Sequence, residues 1–142
     1  MSDASTIEAV LRLHLADGVG ALTFRRLVEA FGGPAEALAA GPAGWKSVQG
    51  IGEKTAGAIA AVTGEQVADE LRLAERAGAR ILTAADEDYP EPLRRIHDSP
   101  AVLYVRGRLD RGDTVAVGVV GSRRCTHYGL EQADRFGGLL AR

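Results

Sequence analysis

The chain has 142 residues, 46% of them hydrophobic and 25% charged, with a formal net charge of −2. That balance suits one ordinary globular domain or two small ones and argues against a wholly basic nucleic-acid binder. No run approaches the roughly eighteen apolar residues of a membrane span, and MSDASTIEAV has no signal-like basic and apolar regions, so a cytoplasmic protein with no membrane partner is expected.

The charge is uneven. Residues 1–64 carry 5 basic and 6 acidic side chains, residues 65–100 carry 5 and 9, and residues 101–142 carry 7 and 4. Any attraction for phosphate should be local and lie mainly toward the C-terminal end, although an excess of this size also suits a plain solvated face. The single cysteine, Cys125, leaves no partner for an intrachain disulfide and no cysteine cluster for zinc. Near a helix start it reads as a thiol of lowered pKa or as a spare small residue.

The first half is a series of helices punctuated by glycine. STIE at Ser5 to Glu8 has the form of a capping box, and Ile7, Val10, Leu11 and His14 recur at helical spacing, which predicts a helix over 6–16 with His14 on one face. DGVG stops it. ALTFRRLVEAF then runs to Gly32-Gly33-Pro34, a left-handed cap followed by a residue that forbids continuation. PAEALAA gives a short third helix ended by Gly41-Pro42. After AGWKSV, where Trp45 is a core candidate, comes QGIG, and EKTAGAIAAV carries a further helix to Gly64. A longer helix is expected over 65–77, with Val67, Leu71 and Ala74 inward and Gly78 closing it.

Two of the breaks match. Gly18-Val19-Gly20 and Gly50-Ile51-Gly52 are both Gly-apolar-Gly, each lies between helical patterns, and the offset is 32 residues; Leu27 then aligns with Ile59 and Thr23 with Thr55. The repeat looks like a duplicated helix-hairpin-helix. Glycines let the backbone turn tightly and approach a phosphate, while the following helix offers free N–H groups and the positive end of its dipole. Such hairpins contact DNA backbones without reading bases. Lys54 is suitably placed after the second turn. No basic residue directly follows the first, where Arg25 and Arg26 also suit a solvated face. The same Gly-x-Gly serves elsewhere as an ordinary αα-hairpin used for packing or protein contacts, so both readings stand.

Beyond Gly78 the period changes. ARILTAA and AVLYVRG read as strands joined by DEDYPEPLRRIHDSP, which Pro90, Pro92 and Pro100 should make an ordered strap, with His97 making a structural hydrogen bond. TVAVGVV reads as a third strand. It leads through Gly-Ser-Arg into a helix with Leu130, Ala133, Phe136 and Leu140 broadly on one face, the first βα unit of a Rossmann-like sheet. Ligands of such sheets bind beyond the C-terminal strand ends, where turn amides and a helix N-terminus favour an anion. Ser122 can donate a hydrogen bond and Arg123 can grip a phosphate through two N–H groups. Gly118 and Gly121 do not form G-x-G-x-x-G, and no Walker A loop is present. A tight strand-to-helix turn with an exposed arginine is the competing reading.

The fold expected is therefore α/β: an N-terminal all-α helix-hairpin-helix (SAM-like) module over 1–78, then the incomplete beginning of a Rossmann-like domain over 79–142. DYPEPLRRIHDSPAVLYVRG and VVGSRR, preceded by a small helical module with GIG, resemble the DNA-processing protein A (DprA/Smf) family over nearly the whole chain. The resemblance implies a protein without catalytic activity or cofactor that binds and protects single-stranded DNA, loads the RecA recombinase during natural transformation, and forms a homodimer through its Rossmann-like domain. It places Gly121, Ser122 and Arg123 in a positively charged pocket for DNA phosphates. The hairpin residues Gly18, Gly20, Gly50, Gly52 and Lys54 are the other candidate backbone contacts. Tyr128, just inside the helix, is expected to pack rather than stack on a base. The family's later strands, with a Ser-Gly-x-Ala-x-Gly-Ile-Asp stretch and a basic residue that completes the pocket, have no counterpart in these residues, so the sequence is read as the opening of a longer one.

Two other classes remain at this level. The nucleotide phosphoribohydrolases of the lysine-decarboxylase-like family also open a Rossmann-like sheet with a strand and a Gly-Ser turn, but they carry no helical module of this kind. His14, His97 and His127 are scattered, and no His and carboxylate share the spacing of a metal site, so no catalytic or metal centre is expected. The third class is a protein-docking module, with the sheet alone touching DNA, which the lack of net positive charge over 1–64 leaves open.

Overall fold

The computed structural model describes residues 4–110 and 117–140. They fall into two compact units, Met1–Leu109 and Asp110–Arg142. The first contains α1 (Ala4–His14), α2 (Ala21–Phe31), α3 (Pro34–Ala39), α4 (Gly41–Trp45), α5 (Glu53–Ala61), α6 (Gly64–Arg76), β1 (Ala79–Thr83), α7 (Glu91–Arg94) and β2 (Val102–Arg106). The second contains α8 (His127–Leu140). The fold is α/β, as the sequence implies: a helical hairpin module followed by a two-stranded antiparallel sheet.

Helix α1 is the centre of the first unit. Its Val10, Leu11 and Leu13 are buried, and it packs against α3, α6 and β2. Leu11, Leu13, Leu27 and Ile59 are the largest side chains sealed from solvent. Trp45 joins this core, and its indole N–H, costly to bury without a partner, donates to the Ala37 carbonyl at 2.6 Å. The Gly41-Pro42 break is not a loop: it opens the extra short helix α4, because proline is tolerated in a helix's first turn.

Helix boundaries differ where caps decide them. α1 starts at Ala4, so Ser5 lies in its first turn and not at the capping position expected of it. The capping box is instead at α6. Thr63 Oγ1 accepts the Gln66 backbone N–H at 3.2 Å, and Gln66 Oε1 accepts that of Thr63 at 2.8 Å. Such a cap contributes about 1 kcal/mol. Val67 and Ala74 face inward as expected, but Leu71 is 41% exposed, because the buried stripe of α6 is narrower than its apolar pattern.

β1 and β2 pair antiparallel, from Ala79 opposite Arg106 to Thr83 opposite Val102. The strap between them is ordered by two buried side chains. Asp86 Oδ2 accepts the Thr83 N–H at 2.9 Å and its hydroxyl at 3.0 Å. Tyr89, 2% exposed, donates through its hydroxyl to the Pro100 carbonyl at 2.7 Å and lies 3.0 Å from Ser99 Oγ. Arg94 lies over the Tyr89 ring, 5.6 Å from its centroid, and donates to the Asp86 carbonyl at 2.8 Å.

The expected third strand is a correction. Its residues 114–116 lie outside the described residues. Residues 117–120 have no strand pairing, and the only described ladder joins β1 to β2. A strand exists only against a neighbour that takes up its N–H and C=O groups, and Val120, 94% exposed, has none here. Leu130, Phe136 and Leu140 of α8 are likewise exposed, as is Tyr128, which was expected to pack.

His14 is half-buried, and burial lowers its pKa below the usual histidine range against a smaller opposing pull from Glu70. The native state therefore prefers the neutral ring, and below about pH 6.5 the unfolded chain takes up the proton first. The urea midpoint is expected to fall as pH drops from 7.5 to 5.5, and His14→Gln to flatten that decline. A decline of equal steepness in both proteins would count against a role for His14.

Candidate nucleic-acid interface

The two glycine turns are the same structure twice. Gly18 and Gly50 sit at φ +83° and +92°, a left-handed region that strains any residue bearing a Cβ. Val19 and Ile51 between the glycines are buried and anchor each turn in the core. Val19 N–H donates to the Ala16 carbonyl and Ile51 N–H to that of Val48, both at 3.1 Å. Gly20 and Gly52 then cap α2 and α5 in extended conformation, at φ −83° and −96°. The first helical bonds also repeat, Phe24 N–H to Gly20 at 2.9 Å and Ala56 N–H to Gly52 at 3.0 Å. Leu27 and Ile59 close the equivalence as sealed core residues.

Each turn thus delivers an exposed second glycine and a helix N-terminus with no side-chain cap. A capping side chain would consume the first-turn amides; glycine leaves them to solvent or to an anion. The turns are neighbours as well. A Cβ placed on Gly18 would lie 3.2 Å from Thr55 Oγ1, at the start of α5.

Charge around the turns is sparse. Lys54 is exposed and has no ion-pair partner among the described residues. Glu53, in the first turn of α5, is paired with Lys46 at 3.0 Å. Arg25 and Arg26, whose role the sequence left open, are partly exposed and each is engaged by a carbonyl elsewhere in the first unit. Arg25 Nη1 donates to the His97 carbonyl at 2.7 Å, holding the strap, and Arg26 Nη1 donates to the Gln49 carbonyl at 3.2 Å. The only sequence signal for these contacts was a pair of arginines beside Leu27, the buried residue of α2.

In the second unit, Gly121, Ser122 and Arg123 precede α8 by several residues. Ser122 Oγ accepts the Arg124 N–H at 3.1 Å, forming a local turn. Thr126 is the residue that caps α8, accepting the Gly129 N–H at 3.3 Å. All three candidate residues are exposed, as is Cys125. No cluster of three or more His, Cys, Asp or Glu side chains suited to a metal occurs among the described residues, and no described helix is long and apolar enough to cross a membrane.

Fold and repeat together define a duplicated helix-hairpin-helix module followed by a two-stranded antiparallel sheet. Residues 5–74 match the family model described as the DprA-like N-terminal HHH domain, and residues 80–142 match that of DNA recombination-mediator protein A. The chain belongs to the DNA-processing protein A (DprA/Smf) family. It is similar to protein Smf of Synechocystis sp., 34% identical over 79% of this chain and 29% of that protein. It is also similar to the DNA processing protein DprA of Streptococcus pneumoniae, 38% identical over 35% of this chain and 18% of that protein. The chain therefore spans less than a third of the length of these curated relatives. No solved structure matches at a comparable level.

Proposed function

We propose that this chain is the N-terminal part of a non-enzymatic recombination mediator that binds single-stranded DNA, protects it and loads RecA onto it. Its hairpins, in the module over 1–78, grip the phosphate backbone through the first-turn amides of α2 and α5, with Lys54 adding charge. Gly121, Ser122 and Arg123, in the Rossmann-like portion over 79–142, supply a further phosphate contact within the complete, dimeric domain. The observation that carries this reading is the paired geometry of the turns: two left-handed glycines, two extended capping glycines and two uncapped helix starts in identical order. Membership of a family described as DNA recombination mediators agrees with it. The family's chemistry asks for no cofactor.

A protein-docking role for the helical module draws on one observation, the use of Arg25 and Arg26 for internal bonds. The two readings diverge at Lys54. In fluorescence-anisotropy titrations with a labelled single strand, Lys54→Glu is expected to weaken binding about tenfold and to lower the salt slope by about one. An affinity equal to the wild-type chain's at every salt concentration would favour docking. Wild-type binding that is insensitive to salt would overturn the phosphate reading.

A further inference from the structure

The two hairpins clasp one another, and the clasp is reciprocal. The first turn leans on the second hairpin's helix, since a Cβ on Gly18 would come within 3.2 Å of Thr55 Oγ1. The second turn leans on the first hairpin's helix, where Arg26 Nη1 donates to the Gln49 carbonyl at 3.2 Å and would lie 3.1 Å from a Cβ on Gly50. A groove of about 410 Å³ lined by Arg26, Glu29, Ser47 and Gln49 runs beside this contact.

We infer that Arg26 is a positioning residue for the proposed DNA interface: by holding the Gln49 carbonyl it fixes the Gly50 turn, and so aims the α5 amides and Lys54 in register with the first hairpin. The inference rests on the phosphate-binding reading of the hairpins. Its physical basis is the position of the bond. Gln49 immediately precedes the left-handed Gly50, so a charge-assisted hydrogen bond to its carbonyl restrains the peptide plane whose rotation would swing Ile51, Gly52 and the start of α5. Ile51 anchors the turn through its burial and its bond to Val48, while the flanking glycines at 50 and 52 carry no side chain to restrain them. Arg26 supplies from α2 the constraint that the glycines themselves lack, and it makes the two turns act together, since both must be set before a strand can bridge them.

A positioning arginine and a phosphate-binding arginine differ in what replaces them. Arg26→Gln removes the charge and keeps an N–H donor, on a side chain two atoms shorter; Arg26→Met matches Gln in length and removes the donor as well. A positioning role predicts that Arg26→Met lowers single-strand affinity about tenfold with the salt slope unchanged, and that Arg26→Gln loses less than Arg26→Met. In the free chain, hydrogen exchange of the Ile51 amide, bonded to the Val48 carbonyl at 3.1 Å, should quicken more in Arg26→Met than in Arg26→Gln. Equal losses in both variants with a slope lowered by about one would overturn the positioning role and make Arg26 a phosphate contact. Unchanged affinity and exchange in both would overturn it as well. Absence of DNA binding by the wild-type chain would instead remove the reading beneath it, a result separable from either of these.

Discussion

Tyr89→Ala is expected to destabilise the N-terminal unit by about 3–5 kcal/mol. The ring is buried beneath Arg94, and its hydroxyl satisfies the Pro100 carbonyl, so truncation both opens a cavity and leaves a half-buried acceptor without its donor. The loss should pass directly into the sheet. Pro100 stands two residues before β2, and Asp86, whose carbonyl also receives Arg94, holds Thr83 at the end of β1. Urea unfolding followed by Trp45 fluorescence measures the effect. Tyr89→Phe, which keeps the packing, separates the hydroxyl's share and should cost about 1–2 kcal/mol. A loss below about 1 kcal/mol for Tyr89→Ala would mean that the strap does not brace the sheet.

The second large effect tests the repeat itself. Leu27→Ala and Ile59→Ala remove equivalent sealed side chains, one from each hairpin's second helix, and each is expected to cost about 2–5 kcal/mol. Because both residues belong to one core with Leu11 and Trp45, the two losses should be similar in size and should each lower a single cooperative transition. Two separated transitions, or a loss confined to one position, would show that the hairpins fold independently. That outcome would break the physical basis for treating them as a paired surface.

The helical half was legible because its information is local. Gly32-Gly33-Pro34 ends α2 through the left-handed Gly32, at φ +88°, and the 32-residue offset of the glycine pairs survives as matched dihedrals and matched hydrogen bonds. Capping was harder to read, because STIE and Thr63-Gly-Glu-Gln66 both fit the pattern and only chain geometry makes the second one the box. The functions of Arg25, Arg26 and Tyr89 depend on partners 72, 23 and 11 residues away, at His97, Gln49 and Pro100, which no periodicity encodes. The strand read into TVAVGVV shows the opposite limit. An apolar run has strand propensity, yet a strand also requires a hydrogen-bonding neighbour, and among the described residues 117–120 have none.

The most direct test of the account is a ¹⁵N–¹H correlation spectrum of the full chain, titrated with a short unlabelled oligothymidylate at low salt. The backbone reading predicts that amides of Gly20–Thr23 and Gly52–Thr55 shift together with one dissociation constant, and that the shifts retreat as salt is raised. Contacts between backbone amides and phosphate need no base identity, so an oligonucleotide of mixed sequence should move the same amides. Unmoved hairpin amides, in a titration where the oligonucleotide nevertheless binds, would contradict the claim that the paired glycine turns are the DNA-facing surface of this module.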